Sequence, residues 1–361
     1  MKRLITALAV VMLTAPAMAA DWSFYGSQRM ATFWDHVDYG DNEVNGEGDD
    51  DSLIWDFQTN SRLGAKVKAD KVSGVIELGL KGSNGGDVDV GTRLAYGVWQ
   101  FSDNASLKVG KDYGLIYQGW SNSVFDEDND LNGIGTGYGF RIGEILLQIG
   151  GLQLALVTPR SQDLGTGGDV DVYLPKFEGK YSLKLDTITF AILGGYQWYK
   201  IDQTPASTLT DDIDVTSWIV GGEVLWNIGA FYVNGGFNYG QNWTSARWND
   251  LGYTNDANAG AVVNAGGDDV EDCTSWQAAL VVGMKFTDTI TFEVGGGYRS
   301  DDQDAADNED DAWQIYGQAV ISLAPGVSLV PEIGYFDYMD NPAGNDEGYE
   351  WYAGAKWQID F

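Results

Sequence analysis

The sequence predicts an all-β chain, a transmembrane antiparallel β-barrel of about 16 strands, the even count that single-chain barrels of this kind show. Three observations carry that expectation. From Trp22 onward, segments of about ten residues alternate in polarity. They are joined in turn by very short connections and by long polar loops, and their ends are rich in Trp and Tyr. A period of two is what a strand needs when its two faces meet different solvents.

The first 20 residues, MKRLITALAVVMLTAPAMAA, read differently. Two basic residues precede an apolar run from Leu4 to Leu13, and Ala17-Met18-Ala19 supplies an A-x-A cleavage site. This predicts a secretory signal peptide over residues 1–19 and a barrel domain over residues 20–361. No cysteine stands directly after the leader, where Ala20 and Asp21 follow, so no lipoprotein acylation site is expected. Cys273 is the only cysteine, which excludes an intramolecular disulfide and marks it as an unpaired bystander.

Taken along the chain, the clearest strands are these. VYLPKFEGKYSLKL sets Tyr173, Phe177, Tyr181, Leu183 and Leu185 against Lys176, Glu178, Lys180 and Lys184. TSWIVGGEVLW and AFYVNGGFNYG repeat the pattern around Asn227-Ile228-Gly229. In TSWQAALVVGMKF, Trp276, Leu280, Val282 and Met284 oppose Ser275, Gln277, Gly283 and Lys285. TITFEVGGGYR puts Ile290, Phe292, Val294 and Tyr298 opposite Glu293 and Arg299. Short turns fall at Asp70-Lys71, Asp103-Asn104, Gly150-Gly151, Asp186-Thr187, Thr287-Asp288 and Ala324-Pro325-Gly326. Between them lie acidic loops, among them HVDYGDNEVNGEGDDD, the stretch 119–135, the stretch 243–272 and DDQDAADNEDD. Trp218, Trp226, Tyr196, Trp198, Tyr335, Tyr338, Tyr349 and Trp351 fall where an interfacial girdle belongs. A soluble sandwich also alternates, but one of this size calls for longer Val, Ile and Leu runs.

Fifty-three acids against 21 basic residues give a formal charge of -32. Such acidity argues against nucleic-acid partners, which require basic surface, and favours cations.

The stretch TRLAYGVWQFSDNASLKVGKDYGLIYQ, residues 92–118, resembles the fourth and fifth strands of the trimeric general diffusion porins of Gram-negative outer membranes. SRLGAKVKAD, from Ser61, is similar to their second strand and FYGSQR, from Phe24, to their first. The resemblance implies a water-filled channel for passive diffusion of small hydrophilic solutes and ions, with no cofactor, in the outer membrane beside lipid and lipopolysaccharide. It also implies a third loop folded inward to a constriction. Wall positions there match Arg29, Arg62, Arg93 and Arg141; the family's first-strand lysine aligns with Ser27, and Arg29 follows on the same face. Asp126, Glu127, Asp128 and Asp130 occupy the loop side, where the family's Pro-Glu-Phe-Gly-Gly turn is replaced by SNSVFDEDNDLNG. A homotrimer is implied too, latched through Asp87 or Asp89 and Lys111. Phe361, the terminal aromatic of YEWYAGAKWQIDF, resembles the signal read by the barrel assembly machinery.

Other readings remain open at this level. Asp128, Asp130, Asn132 and Gly133 satisfy half of a calcium-loop pattern, but Gly139 stands where a bidentate Glu is needed, so only weak divalent-cation residence is expected. Acid runs are also ordinary solvated tips. The outer acidic loops could hold cations that bridge to lipopolysaccharide phosphates. An enzyme is not expected, because His36 is the only histidine and no nucleophile motif accompanies it. A substrate-specific channel, for a saccharide or another small polar nutrient, would show a track of inward aromatics; Trp99, Tyr199 and Tyr232 are read as inward but form no series. The charge balance leads to the expectation of a cation-preferring passage.

Overall fold

The structure is a computed structural model that describes residues 20–41, 48–82, 88–249, 259–306 and 308–361. The signal peptide expected over 1–19 and the latch acid Asp87 lie outside the described residues. Sixteen wall strands form one closed antiparallel sheet. They are β1 Asp21–Asp38, β2 Asp49–Phe57 continued by Ser61–Ala69, β3 Val72–Gly82, β4 Val88–Ser102, β5 Ala105–Tyr113 and β6 Arg141–Ile149. Next come β7 Leu152–Val157, β8 Asp169–Asp171 continued by Lys176–Leu185, β9 Ile188–Asp202, β10 Ile213–Ile228 and β11 Phe231–Gln241. The wall ends with β12 Cys273–Lys285, β13 Ile290–Gln303, β14 Asp310–Ala324, β15 Val327–Asp337 and β16 Tyr349–Asp360.

Each strand pairs with its sequence neighbour, and β1 closes the ring on β16 with Ser27 opposite Asp360 and Asp38 opposite Tyr349. Closure removes sheet edges, so every backbone group in the hydrocarbon layer has a partner. The last residue takes part: Gly26 N–H donates to the Phe361 carbonyl at 2.8 Å and Phe361 N–H to the Gly26 carbonyl at 3.0 Å.

Alternation decides the two faces. On β12, Leu280 and Val282 are exposed on the outer surface, while Ser275 and Gln277 are fully buried toward the interior. On β13, Phe292 and Val294 face out and Glu293 faces in. Along β10–β16 and β1 the aromatics form a belt of contacts, with Trp218–Tyr239 at 5.5 Å, Trp276–Tyr298 at 5.1 Å, Trp313–Tyr335 at 5.3 Å, Tyr335–Tyr349 at 5.6 Å and Trp34–Trp351 at 4.4 Å. Rings with an apolar body and a polar tip suit the boundary of a membrane.

Two aromatics depart from the expected faces. A bulge between Glu77 and Leu78 pairs them with Leu94 and Thr92, leaving Arg93 as the extra residue. The bulge shifts the alternation by one, so Trp99 pairs with exposed Val72 on the outer face. Tyr338 lies one residue past the end of β15; it turns inward, stacks on Phe336 and donates to Glu350.

Replacing Leu280 on the outer face with Arg is expected to cost about 2–4 kcal/mol near the bilayer midplane. Denaturant unfolding in vesicles should show that loss.

Candidate functional site: the barrel lumen and its inward loops

The 27 residues 114–140 between β5 and β6 do not stand out from the rim; they cross the lumen to the far wall. Carboxylates on that wall hold the loop by its backbone. Glu332 of β15 accepts from Val124 N–H at 2.8 Å, Phe125 N–H at 3.0 Å, the Ser123 hydroxyl at 3.1 Å and the Tyr352 hydroxyl at 2.9 Å. Glu293 of β13 accepts from Asn122 N–H at 3.0 Å, Asn122 Nδ2 at 2.6 Å and Tyr316 at 2.5 Å, and from Tyr232. Further along, Gln314 donates to the Ile134 carbonyl at 2.7 Å and Arg299 to the Gly133 carbonyl at 3.1 Å. Between the two carboxylate clamps sits an apolar plug, where the Phe125 ring stacks on Tyr352 at 3.7 Å and meets Phe33 edge-on at 5.3 Å.

The opening half of FDEDNDLNGIG pays for this course in backbone strain. Asp126, Glu127, Asp128, Asp130 and Leu131 all have φ between 43° and 65°. A left-handed L-residue costs on the order of 1–2 kcal/mol, so the segment needs outside restraint. The wall supplies it. Asp128 pairs with Arg29 of β1 and with Lys356 of β16 at 2.8 Å, and accepts from Asn60 at 2.7 Å. Glu127 accepts from the Thr59 hydroxyl, and its carbonyl from Asn60 at 2.6 Å. Asp130 accepts from the Tyr117 hydroxyl at 3.0 Å. Asp126 is exposed and close enough to Glu350 to act on it electrostatically.

Half of the calcium pattern is therefore dispersed: Asp128 turns to cations of the wall, Asp130 to Tyr117, and Asn132 to the Thr136 hydroxyl at 3.0 Å. Among the described residues no group of three His, Cys, Asp or Glu side chains converges on a metal position. His36 holds Asp51 at 2.9 Å on the extended arm of β1 and β2. Cys273 is buried under the loop that follows β11.

Between the crossing loop and the wall of β1–β6 and β14–β16 lies a cavity of about 1170 Å³. Arg29, Arg62, Arg93 and Arg141 all border it, as do Asp126, Glu127, Asp128 and Asp130. Ser27 points inward as expected and accepts from Arg29 Nε at 3.0 Å. Arg93 Nε donates to Glu77 at 2.8 Å, and Arg62 stands 3.8 Å from the same carboxylate, which also accepts from Tyr25 at 2.8 Å. Arg93 and Arg141 both donate to the Tyr113 hydroxyl, at 3.2 and 2.9 Å. Lys111 reaches the rim of the cavity and donates to the Thr92 carbonyl at 2.8 Å; Asp89, the other expected latch acid, is exposed.

Three site features escaped the sequence reading. Lys356 was legible, because it alternates with the aromatic face of the last strand, yet its meeting with Asp128 needs closure of the ring. Glu293 and Glu332 are single lumen acids whose role appears only when the loop reaches them. The third is a second inward loop. Residues 243–249, expected as part of an outer polar loop, fold into the β8–β12 side of the lumen, where Trp243 and Trp248 are fully buried. Trp248 Nε1 donates to Glu178 at 2.9 Å and Lys176 Nζ to the Ala246 carbonyl at 3.0 Å. This brings Arg247 over the Phe140 ring at 4.3 Å, into the lining of the cavity. The signal was WTSARW, two tryptophans and an arginine inside a loop otherwise rich in Asp, Asn and Gly.

The comparisons with known proteins agree with this geometry. A family model described as Gram-negative porin matches residues 6–341. The chain belongs to the Gram-negative porin family. No curated protein sequence matches it. Among solved structures it is similar to the outer membrane channel DcaP of Acinetobacter baumannii, at 18% identity and a TM-score of 0.71 over 95% of this chain and 99% of that one. It is also similar to an anion-selective porin from Comamonas acidovorans, at 12% identity and 0.60 over 95% and 100% of the two chains. A trimer form of OmpT from Vibrio cholerae aligns at 12% identity and 0.55 over 94% and 99%. At such identities the structures speak for the fold, and the family supplies the rest: this is a porin, an outer-membrane channel.

Two outcomes are expected from the loop's anchoring. Glu332→Ala leaves the Val124 and Phe125 amides without their acceptor, so the open channel should show more current noise and close at a lower voltage, while the heat-resistant barrel still forms. Burial and the nearby Asp128 carboxylate push the Asp130 carboxyl up to about 8, a shift that lumen water on its open side moderates. Raising the pH through that value adds a negative charge to the loop, so the reversal potential in a salt gradient should move toward cations between pH 6 and 9. The shift should be absent in Asp130→Asn.

Proposed function

We propose that this porin lets small hydrophilic solutes and ions diffuse passively down their gradients, and that its narrow region favours anions. One observation carries the second half: the cavity lining holds seven cationic side chains, namely Arg29, Arg62, Arg93, Lys111, Arg141, Arg247 and Lys356, against four acids. Asp128 is taken up by Arg29 and Lys356, and Arg141 has no carboxylate within ion-pair distance among the described residues.

This departs from the cation preference expected from a net charge of -32. Much of that charge lies outside the cavity lining, for example Asp49, Asp50 and Asp51 on β2 and Asp301, Asp302, Asp310 and Asp311 on β13 and β14. At physiological ionic strength charges are screened over about 8 Å. A negative mouth therefore concentrates cations near the rim, and the lining selects at the narrow point. The solved Comamonas porin, described as anion-selective, supports the plausibility of such a lining on this fold. The acidic outer loops, in this reading, meet divalent cations and lipopolysaccharide at the rim.

Assembly as a homotrimer is part of the proposal, supported by the Vibrio OmpT structure described as a trimer form. A latch through Asp89 and Lys111 would have to compete with the Thr92 carbonyl for the lysine. The barrel assembly machinery is the expected reader of Phe361, whose place at the closing seam fits a signal presented by the last strand.

The test is reversal-potential recording from single channels in a salt gradient. Wild-type protein should show an anion-directed potential, and Arg62→Gln, Arg93→Gln and Arg141→Gln together should lower the anion-to-cation permeability ratio several-fold. A cation-directed wild-type potential would restore the expectation drawn from total charge. Chemical cross-linking that stops at dimers would count against the trimer.

A further inference from the structure

The wall around Arg141 has a chemistry that a general aqueous passage does not require. Tyr113 and Tyr117 stack at 4.4 Å with 21° between their planes, Tyr138 meets Tyr117 edge-on at 5.7 Å, and Phe140 follows Tyr138 at 4.7 Å. All four rings border the cavity and none is fully buried. The guanidinium of Arg141 lies over the Tyr113 ring at 5.2 Å and that of Arg247 over Phe140 at 4.3 Å. The result is a continuous aromatic shelf with an arginine at each end.

Arg141 is the telling member. Its hydrogen bond is to the Tyr113 hydroxyl, which also accepts from Arg93. A guanidinium carries five donors arranged as a fork that matches a carboxylate, and this one has no carboxylate within ion-pair distance among the described residues. The loop acids are committed elsewhere: Asp128 to Arg29 and Lys356, Asp130 to Tyr117, and Glu127 to Thr59. A cation partly withdrawn from water and left without a carboxylate is a place for a solute's negative charge.

We propose that the cavity binds small aromatic carboxylates, with the carboxylate on Arg141 and the ring against the shelf formed by Tyr117, Tyr138 and Phe140. This rests on the anion-favouring passage proposed above and narrows it to a class of solute. A single-ring carboxylate is rigid, so holding it costs little conformational entropy, and offset or edge-on packing on Tyr and Phe adds to the charge-assisted hydrogen bonds. The volume of about 1170 Å³ leaves room for water and for ion flow around it. Occupancy would slow the solute relative to bulk ions, the mark of a binding site within a channel.

The experiment is single-channel recording in potassium chloride with benzoate, cyclohexanecarboxylate, acetate or benzylamine added to one side. Benzoate should interrupt the current in discrete events, with residence times on the order of three- to tenfold longer than those of cyclohexanecarboxylate, the increment that aromatic packing contributes. Acetate and the aromatic cation benzylamine should leave the current uninterrupted. Arg141→Gln should abolish the benzoate events and Arg141→Lys should retain them in part, each variant being checked for its heat-resistant folded band. Tyr138→Leu should equalise benzoate and cyclohexanecarboxylate. Equal residence of benzoate and cyclohexanecarboxylate in wild-type protein would overturn the aromatic site while leaving an anion passage. Benzylamine block together with a cation-directed reversal potential would overturn both readings.

Discussion

The lumen of this porin depends on two buried carboxylates that receive a loop's backbone. Glu293 and Glu332 sit on the interior face of the wall and accept hydrogen bonds from Asn122, Ser123, Val124 and Phe125. An acid in that position is costly unless donors surround it, and amides of a crossing loop are costly unless acceptors meet them. Each resolves the other's deficit. With the loop pinned at its midpoint, the left-handed run from Asp126 to Asp128 is carried to the β1–β2–β16 wall, where Thr59, Asn60, Arg29 and Lys356 hold it.

That arrangement assigns the charges. The acids of the loop face groups that neutralise or hydrogen-bond them, whereas the opposite wall keeps Arg62, Arg93 and Arg141 near one carboxylate, Glu77, and several tyrosines. The second inward loop fills the other half of the barrel with Trp243 and Trp248 and contributes Arg247. In the proposed reading a chain with a large negative total presents a positive passage, because most of its acids lie outside the cavity lining and permeation is governed by what lies within a few ångströms of the solute.

Much of the fold could be read from the sequence, since a period of two, turn chemistry and aromatic placement are local signals. The strand faces of β8, β12 and β13 came from such signals, whereas the inward Arg29 beside Ser27 came from the resemblance of FYGSQR to a porin's first strand. Where local reading failed, a non-local event intervened. One extra residue at Arg93 reversed the alternation and sent Trp99 outward. The inward course of residues 243–249 depends on Glu178 and Lys176 of β8, three strands before the loop, which no local pattern encodes. The half-motif for calcium is dispersed in part for a related reason: Asp128 turns to Arg29 and Lys356 on distant strands, while Asp130 and Asn132 find Tyr117 and Thr136 within the loop itself.

Ion positions in crystals of the protein would test this account most directly, by anomalous scattering after separate bromide and rubidium soaks. The account places bromide in the cavity beside Arg141, with rubidium confined to the acidic rim. Rubidium within the cavity, among Asp126, Glu127 and Asp130, and no bromide at Arg141 would contradict it.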